Sequence, residues 1–242
     1  MTNETKAVLW YDEYYRKIGT DIWPWNEFLI PELDVTLKPN HKLVELGCGQ
    51  GHVLQYISET KLLPQENISG IDQSQVAVDF VRSRIPNANL SVGDLHQLNL
   101  PAENFDFCLL METIEHLTDP LPVLDKINFI LKPGGVVYLS FPNYLHLPWL
   151  VVRILAEKLN KPNWIKLQPV DKIYTIFTIE KFMRNAGFEL EKGIGSTYCL
   201  PMPWPWLRRL ERPPLTRALN ALGLWRLSFH PIMKFRKISK RN

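Results

Sequence analysis

The chain has 242 residues, 45% of them hydrophobic, which suits one large domain with a sizeable core. Its net charge of +3 conceals an asymmetry: from Pro201 onward ten Lys and Arg face a single Glu, whereas the first 200 residues carry eighteen bases against twenty-four acids. No stretch approaches the roughly 20 apolar residues that cross a bilayer. The start MTNETKAVLWYDEYY lacks an apolar leader core, and the three cysteines form no CxxC pair, so a reduced, cytoplasmic compartment with buried thiols is expected.

From the N-terminus, WYDEYYRKIGTDIWPWNEFLI is rich in aromatics. From Lys42 onward, strand-like and helix-like runs alternate. KLVELGC is an apolar strand ending in glycine, and HVLQYISETK has Val53, Leu54 and Ile57 on one helical face. NISGID is a second strand. Ser74 can cap the helix SQVAVDFVRSRI. NLSVGD and FDFCLLME are the third and fourth strands. Asp119–Pro120 opens a helix through Leu131, KPGG reads as a turn, and GVVYLSFPN is the fifth strand. FELEKGIG and PIMKFRKI complete seven strands. This rhythm predicts βαβ units, with strands buried on both faces of a doubly wound parallel sheet. Residues 143–178 and 197–227 interrupt it as inserts on the substrate side.

The chemistry starts at VELGCGQGH. Gly47 and Gly49 permit a sharp turn and close approach of a ligand to the backbone. A dinucleotide fingerprint would need glycine at position 52, which is His52, and Glu45 would repel a polyanion. The turn therefore favours a nucleoside with little or no phosphate. Asp72 closes the second strand, where a carboxylate can accept two ribose hydroxyls, or cap the next helix. Asp94 closes the third, within reach of an adenine amine, with Leu95 beside the ring. Three acids closing three successive strands are more specific than the glycines alone.

Together these segments resemble the class I S-adenosylmethionine-dependent methyltransferases. VELGCGQGH is similar to the family's first motif, GIDQS to its second, VGDLHQL to its adenine loop, and LKPGG with VVYLSFPN to its fifth-strand motif. The resemblance covers residues 40–142 well. It implies a Rossmann-like seven-stranded sheet whose last strand is antiparallel, with helical inserts. It also implies S-adenosyl-L-methionine as methyl donor. Glu45, Gly47, Cys48 and Gly49 would hold its methionine end, Asp72 and Gln73 the ribose, Asp94 and Leu95 the adenine, with Met111 beside the sulfonium. Residues 1–35 would form a lid carrying Tyr11, Tyr14 and Tyr15; packing of the same tyrosines on the sheet is the alternative.

METIEHL supplies Glu112, Glu115 and His116. E-x-x-E-H after a strand can put two carboxylates and an imidazole on one side of a turn, a mix that suits Mg²⁺ or Mn²⁺. The stretch is similar to one in ubiquinone-pathway O-methyltransferases and small-RNA 3′-end methyltransferases. In the latter a further histidine joins the metal; here Ile173 takes its place, with Asp171 nearest. A metal-free base, His116 or a Glu, and a structural role are the alternatives. His146 could also face the acceptor. The expected reaction is methyl transfer to a small or lipid-like acceptor, at a hydroxyl. RNA as acceptor ranks lower, because no RNA-binding motif is appended, and a non-catalytic cofactor-binding module is the third reading. Trp149, Trp164, Trp204, Trp206 and Trp225 in the inserts, with the basic end, suit either an apolar pocket or peripheral membrane contact through 197–242.

Overall fold

The computed structural model describes residues 3–17, 26–159, 169–198 and 213–238. Cys199, Trp164, Trp204 and Trp206 lie outside these residues. The seven apolar runs form β1 (Leu43–Leu46), β2 (Ile68–Asp72), β3 (Asn89–Val92), β4 (Phe105–Met111), β5 (Leu131–Ser140), β6 (Phe188–Gly195) and β7 (Pro231–Lys237). They make one sheet in the order β3-β2-β1-β4-β5-β7-β6. β1 to β5 pair in parallel, and β7 runs antiparallel to both β5 and β6. The chain thus winds outward from β1 to β3 and then crosses to β4. That reversal opens a crevice beyond the carboxyl ends of β1 and β4.

Among the described residues eight α-helices accompany the sheet: α1 (Asn3–Lys17), α2 (Asn26–Thr36), α3 (His52–Glu59), α4 (Gln75–Arg84), α5 (Pro120–Ile130), α6 (Leu147–Lys158), α7 (Ile176–Asn185) and α8 (Pro213–Ala221). Side chains alternate along each strand, so the sheet feeds two cores. Val44, Leu46, Cys108, Leu110, Val137 and Leu139 join the core under α5 and α7. Leu43, Phe107, Leu109, Met111, Val136 and Tyr138 join that under α2 and α3. Both Cys48 and Cys108 are buried free thiols. Ser74 Oγ accepts the Ala77 N–H at 3.2 Å and Asp119 Oδ1 that of Leu121 at 3.1 Å, so both expected helix caps form.

Two elements depart from expectation. β3 is largely exposed, because an edge strand needs cover from one side only. The KPGG segment does not end the chain's extended run. It enters β5 through a register shift, with Gly134 at φ +74° taking the left-handed step.

Within the first insert, α6 is inside out. It buries Arg153, at 6% exposure, and exposes Leu147, Val151, Ile154, Leu155 and, just beyond it, Leu159. Arg153 is satisfied by Tyr144 Oη at 2.8 Å, the Asp171 carbonyl at 2.8 Å, the Asp171 carboxylate at 3.1 Å and Glu157 at 3.0 Å. These bonds compensate the burial of a charge and pin α6 to the loop at Asp171. In the second insert Trp225 lies over Gly193 of β6, so closely that a Cβ there would meet its ring. This Trp therefore packs on the sheet. No helix among the described residues is long and apolar enough to cross a membrane.

Candidate active site

The turn after β1 is built for close approach. Gly47, Gly49 and Gly51 have φ of +74°, +49° and +65°. A Cβ on Gly47 would sit 2.5 Å from Thr113 Oγ1, and one on Gly49 would sit 2.8 Å from Tyr15 Oη. Asp72, at the end of β2, ties this turn to the next helix. Its Oδ2 accepts the Gly49 N–H at 2.8 Å and its Oδ1 the Ser74 N–H at 2.9 Å. Each oxygen retains a further lone pair. Burial raises Asp72 to about 6, against these bonds and that from the Gln73 backbone, which favour the charged form. Gln73 itself is partly buried beside it.

Glu45 is 4% exposed, and its Oε2 has no hydrogen-bond partner among the described residues. Burial, with Asp72 adding repulsion, pushes its carboxyl up to about 8. A buried acceptor without a donor is costly unless a ligand supplies one. Asp94 closes the set: its Oδ1 accepts the His96 N–H at 2.9 Å, and it borders a cleft with Ile71, Val92, Gly93, Leu98 and Leu100. Leu95 is buried in the core under α5, Met111 in the opposite core, and Cys48 beside Gly70.

Helix α1 lies over this turn. Gln50 Nε2 donates to the Tyr15 carbonyl at 3.4 Å, and Ser74 Oγ donates to Asp12 Oδ1 at 2.5 Å. Tyr11 packs edge-on to His116, with ring centroids 6.4 Å apart. The aromatic rings of α1 stack as well, Tyr11 on Tyr15 and Trp10 on Tyr14.

The segment after β4 gathers the titratable groups. Glu112 has φ +48°, strained for a residue other than glycine, and Ser140 Oγ donates to its Oε1 at 2.7 Å. Burial pushes Glu112 up to about 7. Glu115 and His116 occupy a single 3₁₀ turn, Ile114–His116. Glu115 is 2% exposed; burial and then Glu112 hold its carboxyl well above the usual range. Its Oε2 has no hydrogen-bond partner among the described residues. His116 Nδ1 meets the Val170 carbonyl at 2.7 Å, which makes Nδ1 the donor and turns the Nε2 lone pair toward Glu115 Oε1 at 3.4 Å. Burial keeps His116 neutral by lowering its pKa. The three-ligand cation site, one of the alternatives that E-x-x-E-H left open, is not assembled: among the described residues no group of three or more His, Cys, Asp or Glu is placed to hold a metal ion. Instead Ser140 Oγ donates to Glu112 Oε1, and His116, held through Nδ1 by the Val170 carbonyl, turns Nε2 toward Glu115.

Four contributors were not singled out in the sequence. Thr113 props Gly47, Ser140 holds Glu112, and Asp12 meets the start of α4. His230 brings Nε2 within 3.6 Å of Glu112 Oε2 and is held neutral, near 3, by burial and by His146. Ser140 stands at a strand end, the one signal that could have marked it.

A glycine turn between β1 and α3, with acids closing β1 and β2 and a third just past β3, defines a nucleoside-binding α/β protein. Residues 44–139 match the family model of a methyltransferase domain. The chain is 30% identical over 126 residues to a ubiquinone biosynthesis O-methyltransferase of Actinobacillus pleuropneumoniae, covering 48% of this chain and 52% of that protein. A second such enzyme, from Azoarcus, is 29% identical over 163 residues, 65% of this chain and 68% of its own. The chain spans about half the length of the curated relatives it matches. A Haloferax volcanii methyltransferase solved with its Trm112 activator superposes with a TM-score of 0.68 at 17% identity, covering 98% of both chains. Residues 44–139 thus correspond to a methyltransferase domain, within a fold like that of solved S-adenosylmethionine-dependent methyltransferases.

Proposed function

We propose that this protein transfers a methyl group from S-adenosylmethionine to a hydroxyl of an apolar or lipid-like acceptor. The observation that carries the donor assignment is the buried, unpartnered Glu45 oxygen beside a glycine turn, with Asp72 closing the adjacent strand. The residues present fit that donor. Glu45 offers an acceptor suited to an ammonium, Asp72 two further lone pairs for ribose hydroxyls, and Asp94 an acceptor at the adjoining cleft. Bound there, S-adenosylmethionine supplies an electrophilic methyl on a sulfonium. Helix α1 acts as the lid: its Tyr15 covers the glycine turn and excludes water.

A hydroxyl acceptor must lose its proton. Glu112 and Glu115 repel one another in a buried site, so the pair retains one proton near neutral pH. The ionised member takes the acceptor's proton. Neutral His116 and the Ser140 hydroxyl orient the two carboxyls.

The apolar character of the acceptor rests on α6. Its exposed Leu, Val and Ile face lies on a helix whose buried side holds Arg153 and the small Ala156. Such a face suits the interface of a membrane, and the basic end supplies attraction to anionic lipid. The test is incubation with methyl-labelled S-adenosylmethionine and an extract divided into lipid, water-soluble and RNA fractions. Label is expected in lipid. Label in RNA alone would overturn the acceptor class and leave the donor standing.

A further inference from the structure

Beyond the reacting centre, α6 opens with two buried polar atoms that have no hydrogen-bond partner among the described residues: His146 Nδ1 and Trp149 Nε1. The two residues are one helical turn apart, the Trp149 N–H donating to the His146 carbonyl at 3.1 Å, so they share a face. Both lie against Phe229. The Trp149 indole stacks on it at 4.3 Å and 11°, and the His146 ring centroid is 5.9 Å away. Phe229 runs on into His230, whose ring packs on it at 4.4 Å and whose Nε2 approaches Glu112. This aromatic cluster therefore continues the wall of the reacting centre.

The tautomer of His146 follows from its other nitrogen. Nε2 lies 3.2 Å from the Tyr198 carbonyl, an acceptor only, so Nε2 carries the proton and Nδ1 presents a lone pair. Burial lowers the pKa of His146 and keeps it neutral. The site thus offers one acceptor and one donor, the indole N–H. A hydroxyl can fill either role. An ether or carbonyl satisfies only Trp149, an ammonium only His146, and a methyl neither.

We propose that His146 Nδ1 and the Trp149 indole N–H read a hydroxyl of the acceptor other than the one methylated. The proposal rests on the methyltransferase reading, and its test is separable from it. With the donor site filled by S-adenosylhomocysteine, the protein carrying ¹⁵N-indole tryptophan is titrated with phenol, anisole and toluene. The Trp149 signal is assigned by its loss in Trp149→Phe. Phenol is expected to shift that signal and to bind about a hundredfold tighter than toluene, roughly tenfold for each of the two hydrogen bonds, with anisole between. His146→Leu should erase the preference while S-adenosylhomocysteine affinity stays unchanged. Cyclohexanol in place of phenol tells an aliphatic from an aromatic carrier, and shifting by either supports the proposal. Equal binding of phenol and toluene, or an unmoved Trp149 signal, overturns it. Failure of S-adenosylhomocysteine itself to bind would instead overturn the methyltransferase reading.

Discussion

Glu45 carries a quantitative prediction. In the free protein its carboxyl is pushed up to about 8, first by burial and then by Asp72. At pH 7 such a group is about nine-tenths protonated. The ammonium of a bound S-adenosylhomocysteine favours the ionised form, so binding at pH 7 should release close to one proton from this site. Titration calorimetry at pH 7 in buffers of low and high ionisation enthalpy counts that proton. By linkage, affinity should rise about tenfold per pH unit up to about pH 8 and level beyond it. Glu45→Gln keeps the size but loses the proton, so both the release and the pH slope should disappear. Proton release unchanged in Glu45→Gln, or none in the parent protein, would refute the assignment of this carboxylate to the ligand's ammonium.

The same residue affects folding. Its folded pKa lies above the usual carboxylate value, so its contribution to stability is full below about pH 4.5 and is lost as pH rises toward 8. Glu45→Gln should melt higher than the parent at pH 8 and not at pH 4.5, read by thermal unfolding. Asp72→Ala removes a charged acceptor of two backbone N–H groups as well as the proposed ribose contact; cofactor affinity should fall by about 1.5–3 kcal/mol, and calorimetry showing no change would remove Asp72 from the site. Arg153→Ala strips a buried guanidinium from Tyr144, Asp171 and Glu157; a loss of about 3 kcal/mol in denaturant unfolding is expected. Methyl transfer should rise as pH passes about 7, where Glu112 ionises; a rate that falls across that range would exclude a carboxylate base.

The parallel sheet was legible because its inner strands are continuous apolar runs ending in glycine or acid, and because Asp119–Pro120 and Ser74 announce helix starts. All seven strands, the antiparallel last one included, form as expected. Local signals failed where partners are distant. Nothing near Arg153 foretells its burial, since Asp171 is 18 residues away and the interaction decides which face of α6 turns inward. His230 meets Glu112 only because β7 inserts between β5 and β6. In the E-x-x-E-H segment the residues are as expected, but their hydrogen bonds are not. The Val170 carbonyl, 54 residues away, fixes which His116 nitrogen carries the proton, and no local signal announces it.

The claim on which the account depends is that the β1 and β2 strand ends hold S-adenosylmethionine. Its most direct test is titration of the full chain with S-adenosylhomocysteine and with a dinucleotide, NAD, side by side, in parent and Asp72→Ala proteins. One-to-one binding of S-adenosylhomocysteine, weakened in the variant, and no binding of NAD are expected. Binding of NAD, or S-adenosylhomocysteine affinity indifferent to Asp72, would contradict it.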